Sequence, residues 1–419
     1  MSHINKKIPK RRFEEFNNAD AWEQRKLNDM VKLENGYAIK STYFSDVPSK
    51  TIVLTPGNVR IGGGFKNGKG RYYNEISELP HKFIFQPEDI FVTLTDLTPS
   101  AQMLGYPAVV PNDGIKYLHN QRLGKLTDFK GDKFFLFQLL STDKYHKNIV
   151  ATAIGTTVKH SSIQKILQYE TSFPSLEEQK NIGTFFKKLD KTIALHQRKL
   201  EKIKALKAAY LSEMFPAKGE TKPKRRFVGF TNAWEQSKLG ELADIIGGGT
   251  PSTSNFKFWD GDIDWYSPAE IGNQNYLFGS KKKITQEGLE KSSARIHPIG
   301  TVLFTSRAGI GNTAILGRPG ATNQGFQSIL PKKNILDSYF IFSRTPELKK
   351  YGEASGAGST FVEVSGKQMA RMPILMPTFY EQQKIGSFFK QLDKTITIHQ
   401  RKLQKLQNIK KAYLNEMFI

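Results

Sequence analysis

An internal repeat at an offset of 203 residues is the feature that most constrains the fold. Residues Glu178–Phe215 align without gaps to Glu381–Phe418, with 25 identities over 38 positions. A second pair of matching segments, Pro9–Phe13 and Pro223–Phe227, opens the two halves. A period this long indicates a duplicated domain and excludes a solenoid of short repeats. The sequence therefore predicts one unit of about 205–214 residues used twice.

The repeated segments predict two long helices. Their apolar residues recur at alternating spacings of four and three, which is the heptad pattern of a coiled coil. Each seam also carries one His and one Lys, and a polar seam residue can fix register. We expect the two helices to pair, and the residues alone allow either direction. The pairing residues are predicted to be Phe186, Leu189, Ile193, His196, Leu200, Ile203, Tyr210, Phe389, Leu392, Ile396, His399, Leu403, Leu406 and Tyr413.

The regions between the repeated segments predict two mixed α/β (α+β) domains. Short β-rich runs such as Ile90–Leu94 and Val302–Thr305 alternate with Gly, Pro, Asn and Asp. Short helical patterns fall near Lys133–Leu140 and Ser338–Thr345. The predicted segments are a basic leader at 1–21, a first variable domain at 22–170, a first helix segment at 171–216, a linker at 217–233, a second variable domain at 234–374 and a second helix segment at 375–419.

The charge of the chain predicts a polyanionic partner. Lys and Arg total 62 against 39 Asp and Glu, a formal net charge of +23. The absence of cysteine excludes a disulfide scaffold, cysteine-ligated zinc and thiol catalysis. No apolar run approaches the roughly 18 residues of a membrane span, and Met1–Arg12 does not resemble a secretory signal. We expect a cytoplasmic protein with no membrane partner.

The loops of both variable domains carry residue types that can contact nucleic acid. Arg pairs with guanine and Asn or Gln with adenine through two hydrogen bonds, whereas Lys and Ser suit phosphates. One such residue is usually an ordinary loop residue, so the grouping carries the prediction. In the first domain the candidates are Arg60, Lys66, Lys69, Arg71, Tyr72, Tyr73, Asn74, Thr95, Gln102, Asn120, Gln121 and Arg122. In the second they are Thr250, Ser252, Ser254, Asn255, Tyr266, Ser306, Arg307, Asn323, Gln324 and Gln327.

No catalytic or metal-binding constellation is predicted. Gly63–Lys69 has the spacing of a P-loop, but Gly70 stands where that motif needs Ser or Thr for magnesium, so a glycine-rich turn is favoured. The eight His residues show no metal-ligand spacing. The carboxylates of Asp260–Asp264 are interpreted as a turn between strands. The chemistry, if any, is expected on other chains.

These motifs resemble the DNA-specificity subunit of type I restriction–modification systems over nearly the whole chain. In the second half, Gly248–Ser252, Phe258–Trp265, Arg307–Gly311 and Thr322–Phe326 look like that family's target-recognition domain. Glu381–Gly386, followed by Leu392 and Asp393, resembles the start of its conserved spacer helix. The first half keeps Glu178-Gln179 and Leu189-Asp190, but its domain lacks the Gly-Gly-Thr-Pro signature.

The resemblance implies a non-catalytic subunit. Each domain would read one half of a bipartite double-stranded DNA target, and two antiparallel helices would set the spacing and dock two modification (methyltransferase) subunits. Restriction subunits would complete an ATP-dependent nuclease, and S-adenosylmethionine, ATP and Mg would bind to the partners and not to this chain. Two alternatives remain: a self-contained DNA-modifying enzyme with a divergent active site, and a coiled-coil structural protein that binds nucleic acid non-specifically.

Overall fold

The computed structural model describes residues 7–74, 81–272, 274–307, 309–356 and 363–419. The chain divides into two compact units, residues 1–197 with 401–419 and residues 198–400. The division falls within both long helices, Leu176–Glu213 and Phe379–Met417. Each unit therefore contains one variable domain and a part of each long helix. Across the described residues, no helix combines the length and apolarity that crossing a bilayer needs.

The first variable domain is built on two small sheets. In spatial order, one sheet contains strands Phe44–Ser45, Arg71–Tyr73, Thr51–Val53, Lys116–Leu118 and Ile84–Phe85, and the other contains Lys32–Asn35, Leu123–Thr127, Ile90–Thr93 and Pro107–Val109. Two ribbons pair Glu23–Lys26 with Glu170–Phe173 and Thr95–Asp96 with Lys159–His160. The α-helices are Leu27–Met30, Lys133–Leu139, Asp143–Ala151 and Ile163–Leu167, and single 3₁₀ turns are Glu14–Phe16, Ser41–Tyr43, Pro56–Asn58 and His81–Phe83. One strand pair is parallel and the others are antiparallel, so the domain is mixed.

The second variable domain repeats this plan with different strands. In spatial order, one sheet contains Ala243–Gly247, Gln327–Pro331, Val302–Phe304, Thr313–Leu316 and Tyr276–Leu277, and the other contains Lys282–Ile284, Trp259–Tyr266 and Ala321–Thr322. A ribbon pairs Glu235–Lys238 with Pro373–Met376. The helices are Leu239–Leu242, Gln286–Glu290, Ser338–Ser343, Thr345–Gly356 and Gly366–Ala370, with 3₁₀ turns at Phe256–Phe258 and Pro268–Glu270. The mixed α/β prediction is confirmed for both domains.

One local prediction is wrong. The acidic segment Asp260–Asp264 does not form a turn between strands, because it lies inside strand Trp259–Tyr266. The strand bulges between Trp259 and Ile263, and Asp260 takes a left-handed conformation with φ of 59°. A bulge adds residues to one strand of a pair without ending the strand. The polar, Gly-containing pattern of a bulge is easily mistaken for that of a turn.

Within the unit 1–197 with 401–419, the two long helices pack antiparallel. Asp190 Oδ1 lies 2.7 Å from Lys410 Nζ. The rings of Phe185 and Tyr413 meet edge to face at 5.1 Å. Residue numbers fall along one helix as they rise along the other, which defines the antiparallel direction.

Within the unit 198–400, the other parts of the two helices pair in the same way. Lys207 Nζ lies 2.5 Å from Asp393 Oδ1, and the rings of Tyr210 and Phe388 are 5.0 Å apart. Along both helices the buried and half-buried positions follow the predicted heptad seam. The two seam lysines each have an aspartate partner on the opposite helix. Each contact therefore forms only when the two helices pair in this register.

A buried ion pair joins each leader to the start of a long helix. Arg12 Nη2 lies 2.6 Å from Glu178 Oε2, and Arg226 Nε lies 2.7 Å from Glu381 Oε1. Both carboxylates are almost completely buried, so each requires its cation. The leader at 7–21 and the predicted linker at 217–233 are therefore bound to the folded units through the same residue type.

The next residue of each long helix holds the helix against its variable domain. Gln179 Oε1 accepts a hydrogen bond from the backbone N–H of Asp132 at 3.2 Å, and Gln382 Oε1 accepts one from Asp337 at 3.0 Å. Asp132 and Asp337 also cap the helices that follow them, because their carboxylates accept backbone N–H groups of the first turn. The repeated Glu-Gln pair is thus a docking motif as well as a helix start.

Candidate nucleic-acid interface

A buried asparagine organises three segments of the first variable domain. Asn120 Oδ1 accepts the backbone N–H of Arg122 at 2.9 Å, and the carbonyl of His119 accepts the N–H of Tyr37 at 2.8 Å. The N–H of Leu94 donates to the carbonyl of Arg122 at 2.9 Å. We call this set of hydrogen bonds the asparagine frame.

The second variable domain contains the same asparagine frame. Asn323 Oδ1 accepts the N–H of Gly325 at 2.8 Å, and the carbonyl of Thr322 accepts the N–H of Gly249 at 2.8 Å. The N–H of Ser306 donates to the carbonyl of Gly325 at 2.8 Å. The matching bonds identify equivalent positions in two domains whose sequences otherwise differ.

A glycine with no space for a side chain borders each frame. A Cβ atom on Gly36 would lie 2.2 Å from the carbonyl oxygen of Asn120, and one on Gly248 would lie 2.0 Å from that of Asn323. Both distances are far below van der Waals contact. Gly36 therefore occupies the place of the first glycine of the Gly-Gly-Thr-Pro segment, although the first domain lacks that signature.

One further segment completes both frames. The N–H of Ser161 donates to the carbonyl of Leu94 at 2.9 Å, and the N–H of Val364 donates to that of Ser306 at 3.1 Å. Thr95 and His160 in the first domain are therefore equivalent to Arg307 and Glu363 in the second. In the first domain Thr95 Oγ1 lies 3.1 Å from His160 Nδ1, and in the second Arg307 Nε lies 2.8 Å from Glu363 Oε1.

The frame of the second domain brings several predicted residues together. The hydroxyl of Thr250 contacts the side-chain oxygen of Gln324, so the glycine-rich loop touches the loop that follows Asn323. Ser252 and Ser254 are exposed, and their hydroxyl oxygens are 2.8 Å apart. Asn255 Oδ1 accepts the N–H of Lys257 at 3.1 Å. Hydroxyl and amide groups therefore border the frame on its exposed side.

Predicted residues of the first domain fall into two groups. The first group lies on and beside the turn that contains Arg60, whose N–H donates to the carbonyl of Gly64 at 2.8 Å. Arg71 is exposed and lies over the ring of Phe44 at 4.0 Å. The members of this group are Arg60, Lys66, Lys69, Arg71, Tyr72, Tyr73 and Asn74. Four exposed cations in one short segment form a basic surface that can attract phosphates.

The second group lies around the asparagine frame. A cleft of about 250 Å³ is lined by two predicted residues, Thr95 and Gln121, and by His160 and Ser161. Gln121 and Arg122 are exposed at the turn that follows Asn120, and Gln102 is exposed on a separate loop. The Ser161 hydroxyl is buried and has no hydrogen-bond partner among the described residues.

Several predicted contact residues are buried. Tyr73 and Tyr266 have no exposed surface, and Tyr73 packs against Tyr43. Ser306 is fully buried as well, while Thr95 and Asn120 retain less than a tenth of their surface. A ring inside a core cannot stack on a base, so these residues support the surface from beneath in this structure.

Four residues near the frames were missed by the sequence interpretation. Asn35, His160 and Gln164 line the cleft of the first domain, and Glu363 pairs with Arg307 in the second. The offset of 203 between His160 and Glu363 could have indicated that pair, and no sequence signal marked Asn35 or Gln164. Over the ranges that the structure describes, no group of three or more His, Asp or Glu side chains could hold a metal ion.

Comparison with known proteins identifies the family. The model of the type I restriction modification DNA specificity domain matches residues 19–205 and again residues 232–408. The chain therefore belongs to this family and contains two copies of its domain. Its membership confirms the resemblance drawn from the sequence.

Individual relatives agree with this assignment. The MjaIX specificity subunit of Methanocaldococcus jannaschii is 34% identical over 189 residues, which are 44% of each chain. The putative MjaX specificity subunit of the same organism is 25% identical over 413 residues, covering 94% of this chain and 92% of the relative. A crystal structure of a type I restriction–modification S subunit from M. genitalium has a TM-score of 0.65 at 16% identity, covering 98% of this chain and 99% of that one. The fold is therefore shared over the full described length.

Proposed function

We propose that this chain selects the DNA target of a type I restriction–modification complex. Each variable domain reads one half of a bipartite double-stranded target through the loops around its asparagine frame. The observation that carries the proposal is the presence of the same frame twice in one chain, surrounded by different side chains. Two equivalent supports with unlike surfaces suit the recognition of two unlike half-sites.

The charge distribution supports DNA as the ligand. The net charge of +23 favours a polyanion, and Arg60, Lys66, Lys69 and Arg71 expose cations on the first domain. The polar groups around each frame are the types that read base edges. Phosphate contacts release counterions, so the affinity for DNA is expected to fall steeply with salt concentration.

The two long helices are proposed to set the spacing of the half-sites and to dock two modification subunits. Their antiparallel contacts within each unit include one Lys–Asp pair each, which opposes sliding of one helix along the other. The internal repeat gives one chain two similar surfaces, as two identical partners require. S-adenosylmethionine, ATP and Mg are proposed to act on the modification and restriction subunits.

Mapping of methylated adenines across the genome tests this function. Cells with the gene are expected to show a methylated bipartite sequence that disappears when the gene is deleted and returns with a plasmid copy. The same methylation in both strains would contradict the proposal.

A domain exchange tests whether each variable domain reads its own half-site independently. The segment should run from residue 22 to residue 173, because strand Glu23–Lys26 pairs with Glu170–Phe173. Exchange with a relative is expected to change one half of the methylated sequence and to leave the other half unchanged. A change in both halves would refute independent reading.

A further inference from the structure

The two variable domains differ in chemistry at one equivalent position beside the asparagine frame. In the first domain this position holds the Thr95 hydroxyl hydrogen-bonded to the His160 ring nitrogen. In the second it holds the ion pair of Arg307 and Glu363. The same backbone bonds position both pairs, so the difference lies in the side chains alone.

We propose that Arg307 reads a guanine in the half-site of the second domain and that Glu363 aligns its guanidinium. This inference rests on the proposed function, and it adds the base and the residues. Arg307 is 47% exposed and Glu363 is 34% exposed, so the pair lies at the surface. A planar guanidinium can donate two parallel hydrogen bonds to O6 and N7 of guanine, which is the commonest specific arginine contact in the major groove.

Buried Thr305 anchors described residues on both sides of Arg307. The hydroxyl of Thr305 donates to the carbonyl of Gly309 at 2.7 Å and accepts the N–H of Asn312 at 2.9 Å. The backbone N–H of Thr305 also donates to the carbonyl of Asn312 at 2.9 Å. Thr305 is fully buried, so these bonds connect the exposed loop to the core. These bonds lie two residues to either side of Arg307 and restrict where its side chain can reach, as reading a single base pair requires.

Glu363 distinguishes a base contact from a phosphate contact. A carboxylate beside Arg307 repels a phosphate, because both are negative. The O6 and N7 atoms of guanine are neutral acceptors, and the carboxylate does not exclude them. An arginine that only anchored the backbone would gain nothing from this partner, whereas one that must present its plane in a fixed orientation gains alignment.

The test is selection from a pool of duplexes with randomised half-sites, using the full-length chain purified with its proposed methyltransferase subunit. Arg307→Gln is expected to lower the enrichment of guanine about tenfold at one position of the second domain's half-site. The bases selected by the first domain should not change. Arg318→Gln is the matched control, because it removes an exposed arginine of the same domain whose guanidinium donates to the carbonyl of Phe278 at 3.3 Å.

Two more variants separate alignment and base reading from charge. Arg307→Lys keeps the positive charge but loses the planar guanidinium with its paired N–H donors. Guanine enrichment should therefore fall, while the salt dependence of binding should not change. Glu363→Gln should lower guanine enrichment and leave binding to unselected DNA as strong or stronger, because it removes a negative charge.

The results that would overturn the inference differ from those that would overturn the proposed function. If Arg307→Gln weakened binding to all sequences equally and reduced the salt slope by about one, the arginine would be a phosphate contact. If the wild-type complex selected two half-sites and Arg307→Gln left the selected bases unchanged, the inference alone would fail. If the wild-type complex selected no sequence, the proposed function would fail.

Discussion

The two halves of the chain share the contacts that join each long helix to its variable domain. They differ in the side chains beside the asparagine frames. Arg12 with Glu178 and Arg226 with Glu381 form matching buried ion pairs. Beside the asparagine frames, by contrast, Thr95 corresponds to Arg307. The comparison teaches that the duplicated architecture depends on a small set of buried polar contacts. The side chains around those contacts can differ without changing the fold.

The matching ion pairs are not identical in detail. In the unit 1–197 with 401–419, Trp22 Nε1 also donates to Glu178 Oε1 at 3.3 Å. In the unit 198–400, the Nε1 atom of Trp234 has no hydrogen-bond partner among the described residues. Glu178 therefore keeps one donor when its arginine is removed, and Glu381 loses its main one. This difference makes the pairs a test of how a buried carboxylate is stabilised.

The largest effect is expected from removing the arginine of each ion pair. Arg226→Ala leaves the Glu381 carboxylate buried without its cation, and loss of one partner of a buried pair costs about 3–5 kcal/mol in the free energy of unfolding. Arg12→Ala should cost about 1 kcal/mol less, because of the remaining Trp22 bond. Urea titration read by hydrogen-exchange mass spectrometry reports each unit separately.

A neighbouring exposed pair is the control. Arg225 lies 2.6 Å from Glu213, with side chains 55% and 37% exposed. Arg225→Ala should therefore lower the free energy of unfolding far less than Arg226→Ala does, because water screens the exposed pair. A loss for Arg225→Ala equal to that for Arg226→Ala would show that burial does not decide the effect.

The frame glycines are expected to give the next largest effect. Gly248→Ala forces a Cβ atom against the carbonyl of Asn323, and Gly36→Ala does the same at Asn120. Overpacking of this kind costs about 1–3 kcal/mol, and each variant should weaken recognition of its own half-site only. Gly279→Ala is the control, because its backbone is not left-handed and no atom beyond its chain neighbours lies within 4 Å of the added Cβ. Selection from randomised half-sites measures the effect, and loss of both half-sites from one variant would contradict independent frames.

Much of the architecture could be predicted from the sequence because it depends on local pattern. The heptad spacing indicates which face of each long helix is buried, and the internal repeat indicates where the second copy of the unit starts. Asn120 and Asn323 were also found from the repeat, since both lie at the offset of 203.

The recognition surface was harder to predict because its equivalences depend on backbone hydrogen bonds between distant segments. Gly36 corresponds to Gly248 at an offset of 212, and Leu94 corresponds to Ser306 at the same offset. Between Leu94 and Asn120 the first domain therefore contains nine more residues than the second, because the offset falls there from 212 to 203. The offset of 203 that joins the asparagines could not join Thr95 to Arg307, and residue type alone could not show that Tyr73 and Tyr266 are buried.

One buried histidine in each unit predicts a loss of stability in acid. Burial lowers the pKa of His119 to about 4 and that of His297 to about 4. The unfolded chain, with histidine pKa values of about 6.5, therefore takes up protons first as the pH falls. The contribution is complete above pH 6.5 and is lost as the pH falls toward 4. Between pH 7 and pH 5 each histidine should cost about 2 kcal/mol.

The variants His119→Leu and His297→Leu assign this loss to a unit. Each should flatten the pH dependence of the free energy of unfolding in its own unit between pH 7 and pH 5. The comparison is between slopes and not absolute stabilities, because His119 also contacts the carbonyl of Leu123 at 2.9 Å. An unchanged slope in the matching unit would refute the assignment.

The smallest predicted effect compares the two Lys–Asp pairs between the long helices. Asp393 accepts Lys207 at 2.5 Å and the hydroxyl of Tyr339 at 2.8 Å, and its side chain is 10% exposed. Asp190 accepts Lys410 at 2.7 Å and the amide of Gln138 at 2.9 Å, and it is 34% exposed. Because charged hydrogen bonds strengthen as water is excluded, Asp393→Asn should cost about 2 kcal/mol and Asp190→Asn about 1 kcal/mol.

Double variants show whether each aspartate acts through its lysine. Lys207→Met combined with Asp393→Asn should cost less than the sum of the two single changes, because the pair is coupled. The same cycle for Lys410 and Asp190 should give a smaller coupling, since water screens the more exposed pair. Equal couplings would mean that burial does not distinguish the two contacts, and couplings of zero would mean that the apolar seam alone holds the helices in register.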